Sequence, residues 1–177
     1  MGLLNDIGLK HNTDKAFFHK YLDFYEKHLP DRNFRGRLLE IGVMDGASMR
    51  MWREYYPNAE IVGIDTGLQW DLRIDGVTLL ELDGTKPKDL KPLGLFDIII
   101  DDGSHMTKDQ QKSFEHLFYN QLTPGGLYIL EDLHTSYRKD YVNSKIDTIE
   151  YLEKLNFNKS WLKRGKKSVT CIIGAAA

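Results

Sequence analysis

Short, nearly unbroken apolar runs recur along the chain, and each ends on or runs straight into an acid or a glycine. They are Leu38-Leu-Glu-Ile-Gly42, Glu60-Ile-Val-Gly-Ile-Asp65, Val77-Thr-Leu-Leu-Glu-Leu82, Phe96-Asp-Ile-Ile-Ile100 and Gly126-Leu-Tyr-Ile-Leu130. Runs of this length and continuity predict strands over 38–42, 60–65, 77–82, 96–100 and 126–130, buried on both faces of a parallel sheet. Helical stretches alternate with them. Residues 46–56 stop before Pro57, and residues 107–121 stop before Thr123-Pro-Gly-Gly126.

Aromatics at Phe17, Phe18, Tyr21, Phe24 and Tyr25 form a helical stripe within 11–29, read either as a sheet-packing helix or as a cap or lid over a site. A further helix is predicted over 145–155. Two strands, 157–163 and 167–173, then flank a hairpin turn at Arg164-Gly165. The order predicts one α/β domain over 1–177, with residues 1–30 as its helical cap. Its Rossmann-like sheet has about seven strands, mostly parallel, with an antiparallel C-terminal hairpin.

Composition sharpens this by exclusion. The 177 residues carry 24 basic and 26 acidic side chains, 41% hydrophobic and 28% charged positions, which suits a globular domain and not a disordered one. A formal charge of −2 argues against a nucleic-acid partner. No apolar run approaches a membrane span. The opening Met1-Gly-Leu-Leu-Asn-Asp6 meets an acid too early for a secretory leader and lacks the myristoylation pattern. The single cysteine, Cys171, sits in an apolar run and reads as a buried, inert thiol in a reducing, cytoplasmic setting.

In open α/β sheets ligands bind beyond the carboxyl ends of the strands, so the strand tips carry the chemistry. After the first strand, Gly42-Val-Met-Asp-Gly46-Ala-Ser48 lacks the G-x-G-x-x-G dinucleotide fingerprint, because Met44 stands at the second glycine. This disfavours a nicotinamide oxidoreductase. Asp65, at the tip of the second strand, is placed to accept hydrogen bonds from ribose hydroxyls. Glu40 is an acid inside an apolar strand and needs a partner, which a ligand ammonium would supply. A glycine turn, a strand-one acid and a ribose-binding acid together suit S-adenosylmethionine. The plainer alternative satisfies Glu40 within the protein and makes Asp65 a turn residue. Asp83, after the third strand, either faces the adenine or starts the turn into Gly84.

The fourth strand runs into Asp101-Asp102-Gly103-Ser104-His105 and the fifth into Glu131-Asp132-Leu133-His134. Four carboxylates at adjacent tips repel one another, and a hard divalent cation, Mg2+ above all, resolves that repulsion. Imidazoles titrate near neutrality, so His105 is a candidate general base. Alternatively, Asp102 or Ser104 caps the following helix and His105 is a solvated residue. His134 is a candidate wall residue, and His116 reads as surface.

These residues resemble the Mg2+- and S-adenosylmethionine-dependent sugar O-methyltransferases of macrolide and other glycoside biosynthesis. The matching pieces run from Thr13-Asp-Lys15, His19, Tyr21 and Tyr25-Glu26 through Leu38–Val43, Gly46-Ala-Ser48, Met51-Trp52 and Gly63-Ile-Asp65. They continue in Phe96–His105, Glu131-Asp132 and Thr135-Ser-Tyr137. Where that family has Gly-Asp-Gln after the third strand, this chain has Leu82-Asp83-Gly84.

The resemblance implies metal ligation by Asp102, Glu131 and Asp132, with His105 as base and Asp102 at its side. It implies cofactor contacts from Glu40, Gly42, Ser48, Asp65 and Asp83, to which Gly46 of the glycine turn and Asp101 at the fourth strand's tip are added. The activity expected is O-methylation of a sugar, nucleotide-sugar or glycoside. Rival readings are a metal-independent small-molecule methyltransferase and a protein that binds the cofactor without catalysis. Self-association is left open. The basic cluster Lys159, Lys163, Arg164, Lys166 and Lys167 reads as a solvated hairpin tip or as a seat for a substrate phosphate. Trp70 covers the cofactor or packs in the core.

Overall fold

The computed structural model describes residues 2–175; Met1 of the opening segment, and the end of the 1–177 domain at Ala176 and Ala177, lie outside the described residues. Three helices come first: α1 (Leu3–Lys10), α2 (Asp14–Phe17) and α3 (Leu22–Tyr25). Then strands and helices alternate: β1 (Arg37–Ile41), α4 (Ala47–Tyr55), β2 (Glu60–Asp65), β3 (Val77–Glu81), α5 (Pro87–Leu90), β4 (Phe96–Asp101), α6 (Thr107–Asn120) and β5 (Leu122–Leu130). A 3-10 turn at Leu133–Tyr137, α7 (Thr148–Lys154), β6 (Asn158–Arg164) and β7 (Ser168–Gly174) complete the chain.

The seven strands form one sheet in the order β3-β2-β1-β4-β5-β7-β6. The first five are parallel, whereas β7 runs antiparallel to both β5 and β6. Strand order reverses between β1 and β4, which opens a switch point beyond their carboxyl ends.

Side-chain alternation builds a core on each face of the sheet. Leu38, Ile98, Ile100 and Ile129 join Trp52 of α4, Leu4 and Ile7 of α1, and Tyr25 on one side. Leu39, Ile99, Tyr128 and Leu130 join Phe114, Leu117 and Phe118 of α6 and Leu152 of α7 on the other. Cys171 is fully buried in this second layer, as its sequence context indicates.

Two elements differ from the sequence reading. The aromatic stripe over 11–29 is not one helix. It breaks into α2 and α3 around Phe18–Lys20, where Lys20 takes φ +56°. Tyr21 and Tyr25 are fully buried against the sheet, while Phe17 and Phe18 stay exposed. Second, β5 starts at Leu122, before the Thr123-Pro-Gly-Gly126 stop signal. Leu122 pairs with Phe96, and the register shifts before Ile98 meets Leu127. A bulge thus absorbs the proline and glycines inside the strand. No helix among the described residues is long and apolar enough to cross a membrane.

Candidate active site

Sheet register brings the candidate residues together. Ile41 pairs with Asp101, and Asp101 pairs with Leu130, so Gly42, Asp102 and Glu131 leave three neighbouring strand tips side by side. Backbone bonds extend this order past the strands: Asp102 N–H donates to Ile41 O (2.9 Å) and Glu131 N–H to Asp101 O (3.0 Å). A cleft of about 720 Å³ opens there, lined among others by Gly42, Asp65, Asp83, Asp102, His105 and Asp132. That volume falls in the range of small-molecule sites. Asp101 also reaches the cleft, whereas Glu40, Gly46, Ser48 and Glu131 are not among the residues that line it.

The first turn is held by Asp65. Its Oδ2 accepts from the backbone N–H of Val43 (2.8 Å) and Met44 (3.1 Å), and its Oδ1 from Gly67 (3.0 Å). Burial pushes this carboxyl up, but these amides and that of Thr66 outweigh it and hold it below the ordinary range. Asp65 is therefore both a turn residue and a wall of the cleft. Asp83 is likewise both: it accepts from the N–H and hydroxyl of Thr85 (2.9 and 2.8 Å) and lines the cleft. Burial pushes the Asp101 carboxyl up to about 6, against the hydrogen bond it accepts from the Tyr128 hydroxyl (2.9 Å).

Glu40 has found its partner inside the chain. It is fully buried, accepts from Trp52 Nε1 (2.5 Å), and faces the Lys15 ammonium at 3.3 Å. The Ser48 hydroxyl also bonds to it. Its Oε1 nonetheless lacks a hydrogen-bond partner, so an acceptor oxygen remains for the ligand ammonium expected from the sequence, and Ser48 lies against Glu40 without lining the cleft. Gly46 stands at the start of α4 with φ +81°, against Leu72 and Ile74.

Lys15 is the residue that sequence reasoning undervalued. Its Nζ donates to Asp102 Oδ2 (2.5 Å) and Glu131 Oε2 (2.9 Å), across 87 and 116 residues of sequence. Burial alone would lower an ammonium's pKa, but Asp102, Glu131 and Glu40 together raise it well above the ordinary value, so Lys15 stays charged. Burial in turn raises Asp102 and Glu131, with Lys15 opposing the rise.

The expected metal set was Asp102, Glu131 and Asp132. Among the described residues, the group compact enough to hold an ion is Asp102, His105 and Asp132, whose ligand atoms lie within 4.8 Å of one another. Glu131 stands outside that group, paired with Lys15. Its Oε1 is buried without a hydrogen-bond partner, as is His105 Nδ1. The Asp102 and Asp132 oxygens, with the orphaned Glu131 Oε1 next to them, suit a hard divalent cation, while the imidazole of His105 is a softer donor that such a cation does not require.

His105 Nε2 lies 3.8 Å from Asp132 Oδ2, and both residues adopt positive φ, +59° and +52°. The Thr135 hydroxyl lies within reach of the carbonyls of both residues, 3.1 Å from His105 O and 2.9 Å from Asp132 O, and so ties the two tip loops together. His134 also lies against Asp132, at 3.8 Å. Burial lowers the His134 pKa, outweighing the opposite pull of Asp132. Neither Asp102 nor Ser104 caps α6, although Ser104 accepts from Met106 N–H at 3.3 Å.

The remaining candidates lie apart. Trp70 is 87% exposed and belongs to neither the core nor the cleft lining. Of the N-terminal helical segment, only Asp14 lines the cleft; His19, Tyr21 and Tyr25 bond Ser168, Val169 and Thr170 of β7, and the Tyr21 hydroxyl and His19 also reach Asp132 at 2.9 and 3.5 Å. In the basic cluster Lys159 is tied to the carbonyls of Leu155 and Phe157, while Lys163, Arg164, Lys166 and Lys167 are exposed.

Comparison with known proteins fits this geometry. No family model matches the chain. It is 37% identical over 146 residues to 8-demethyl-8-alpha-L-rhamnosyl tetracenomycin-C 2'-O-methyltransferase of Streptomyces olivaceus, covering 76% of this chain and 38% of that protein. It is 34% identical over 149 residues to mycinamicin VI 2''-O-methyltransferase of Micromonospora griseorubida, covering 76% and 37%. Its homologues are sugar O-methyltransferases. The chain spans less than two fifths of the length of these curated relatives.

Among solved structures, the MycE methyltransferase of the mycinamycin biosynthetic pathway, in complex with Mg and SAH, superposes with a TM-score of 0.84 and 27% identity. The match covers 98% of this chain and 55% of that one. The fold is thus the Rossmann-like methyltransferase fold, with the C-terminal antiparallel hairpin expected from the sequence.

Proposed function

We propose that this chain catalyses S-adenosylmethionine-dependent O-methylation of a sugar or glycoside hydroxyl, with a Mg2+ ion at the acid cluster. The observation that carries the reading is the gathering of Asp102, His105 and Asp132 at the mouth of the cleft that Gly42, Asp65 and Asp83 line. The sugar O-methyltransferases among its relatives support the same class of acceptor.

In this reading Asp65 and Asp83 take the nucleoside side of the cofactor, with Gly42 lining the cleft beside them. Asp102 and Asp132 would hold the cation, with Glu131 beside them offering its unpartnered Oε1 while Lys15 keeps Oε2. S-adenosylmethionine supplies an electrophilic methyl group, and Mg2+ supplies a Lewis acid that acidifies and orients a hydroxyl. His105 takes the hydroxyl proton as the O–CH3 bond forms and the S–CH3 bond breaks, leaving S-adenosylhomocysteine. Asp132 orients and stabilises the imidazolium. Fixing the acceptor in near-attack contact is worth up to about 7–11 kcal/mol.

One observation favours a metal-independent variant: Lys15 already supplies a cation to Asp102 and Glu131. The same experiment separates the two. Transfer of labelled methyl from S-adenosylmethionine to rhamnosides and other vicinal-diol glycosides is followed with Mg2+ and with EDTA. Transfer abolished by EDTA and restored by Mg2+ supports the metal reading; transfer indifferent to EDTA supports the variant. No cofactor binding by calorimetry would remove both.

A further inference from the structure

Three of the four acids at the two metal-side strand tips, Asp102, Glu131 and Asp132, receive a donor from the same short N-terminal segment. Lys15 Nζ bonds Asp102 and Glu131, and the Tyr21 hydroxyl donates to Asp132 Oδ1 at 2.9 Å. Neither donor side chain is a surface group: Lys15 is 1% exposed and Tyr21 fully buried. Both are locked from behind. Lys15 also faces Glu40 at 3.3 Å. The Tyr21 ring lies between His19 (4.9 Å) and Tyr25 (5.8 Å), and its hydroxyl reaches Val169 O at 3.3 Å. The break in the aromatic stripe gains a purpose here: the turn around Lys20 lets Lys15 and Tyr21 approach the same acid cluster, which one continuous helix over 11–29 would not do as readily.

We propose that Lys15 and Tyr21 are positioning residues for the acid cluster, so that the N-terminal segment sets the carboxylate geometry into which a divalent cation binds. The proposal rests on the metal reading above. Tyr21 leaves Asp132 Oδ2 to face His105 by taking Oδ1. Lys15 leaves Glu131 Oε1 unpartnered by taking Oε2. In each case one oxygen is anchored and the other turns to the acid cluster, Asp132 Oδ2 beside His105 and Glu131 Oε1 without a partner. Groups that orient ligands in this way usually contribute 10–100-fold to metal affinity.

The test uses Mn2+ as the probe, its binding read by electron paramagnetic resonance on wild type, Tyr21→Phe, Lys15→Met and Lys15→Arg. S-adenosylmethionine affinity and thermal denaturation are measured on the same samples. The expected result is a Kd for Mn2+ raised roughly 10–100-fold in Tyr21→Phe and Lys15→Met. In Tyr21→Phe, cofactor affinity is unchanged, and Lys15→Arg recovers part of the loss. Lys15→Met strips the counter-charge from buried acids, so only its folded fraction is titrated, and Tyr21→Phe tests the claim without that burden. Folded variants that bind Mn2+ as wild type does would overturn the proposal and leave the metal reading standing. A Tyr21→Phe variant that loses cofactor and metal affinity together would show a structural role only and overturn it too. A wild type that binds no Mn2+ with cofactor present would overturn both.

Discussion

A Cβ placed on Gly42 would stand 2.1 Å from the backbone oxygen of Asp102. The two strand tips therefore touch main chain to main chain, and Gly42 does so at φ +92°, where side chains are strained in any case. This contact draws the first turn, with its cofactor-side residues, against the loop that carries His105. Gly42→Ala is expected to lose about 3 kcal/mol or more, combining an incompatible φ with overpacking against rigid backbone. Urea denaturation measures it, and wild-type stability in the variant would show that the tips can separate freely.

In the proposed reaction His105 takes the hydroxyl proton, while Asp65 and Asp83 hold the opposite side of the cleft. Its own backbone lies at φ +59°, so His105→Asn is the suitable variant, because Asn tolerates that region. Turnover should fall by roughly 10²–10⁴-fold with S-adenosylmethionine affinity intact. Turnover at the wild-type level would remove His105 from the mechanism.

Asp65 makes the first turn depend on pH. Its carboxyl lies below its ordinary value because backbone amides favour the ionised form. The stability it contributes is thus fully present above an unfolded pKa of about 3.9, and is lost as pH falls through the lower folded value. Asp65→Asn should cost about 1–3 kcal/mol near neutrality. The gap from wild type should close below about pH 4, as the wild-type carboxyl takes up its proton. A gap that does not change with pH would mean that the amides do not read the charge.

Much of this was legible in the chain because it is local. The apolar runs that become β1, β2 and β4 are buried on both faces, and the acids at their tips follow directly in sequence. What stayed hidden is non-local. Lys15 and Tyr21 meet acids 87 to 116 residues away, and nothing in Thr13-Asp-Lys15 by itself says that an ammonium is buried there. The break between α2 and α3 has the same origin. An aromatic stripe predicts a helix from local periodicity, but bonds from His19 and Tyr21 to β7 and Asp132 override it. Glu40 shows the converse. The sequence demanded a partner for it, and the chain supplies Trp52 to Oε2 and the Lys15 ammonium at 3.3 Å from Oε1, which keeps no hydrogen-bond partner.

Cys171 reports on the closure of the antiparallel edge. It sits in the middle of β7, paired with Leu130 on one side and Trp161 on the other. Burial pushes its thiol up to about 12, against the weak opposing pull of Lys159 and Lys163. At pH 8 the thiolate fraction is then about 10⁻⁴, and the sulfur is shielded as well. A chromogenic disulfide reagent at pH 8 should therefore find no thiol in the native protein and one per chain after denaturation. Edge strand β6 is the element whose loss would expose it, since Trp161 covers Cys171 from that side. Rapid reaction without denaturant, with Trp161 fluorescence shifting in step, would mean that β6 detaches at low cost, and that the hairpin is a local opening unit instead of a fixed border of the sheet.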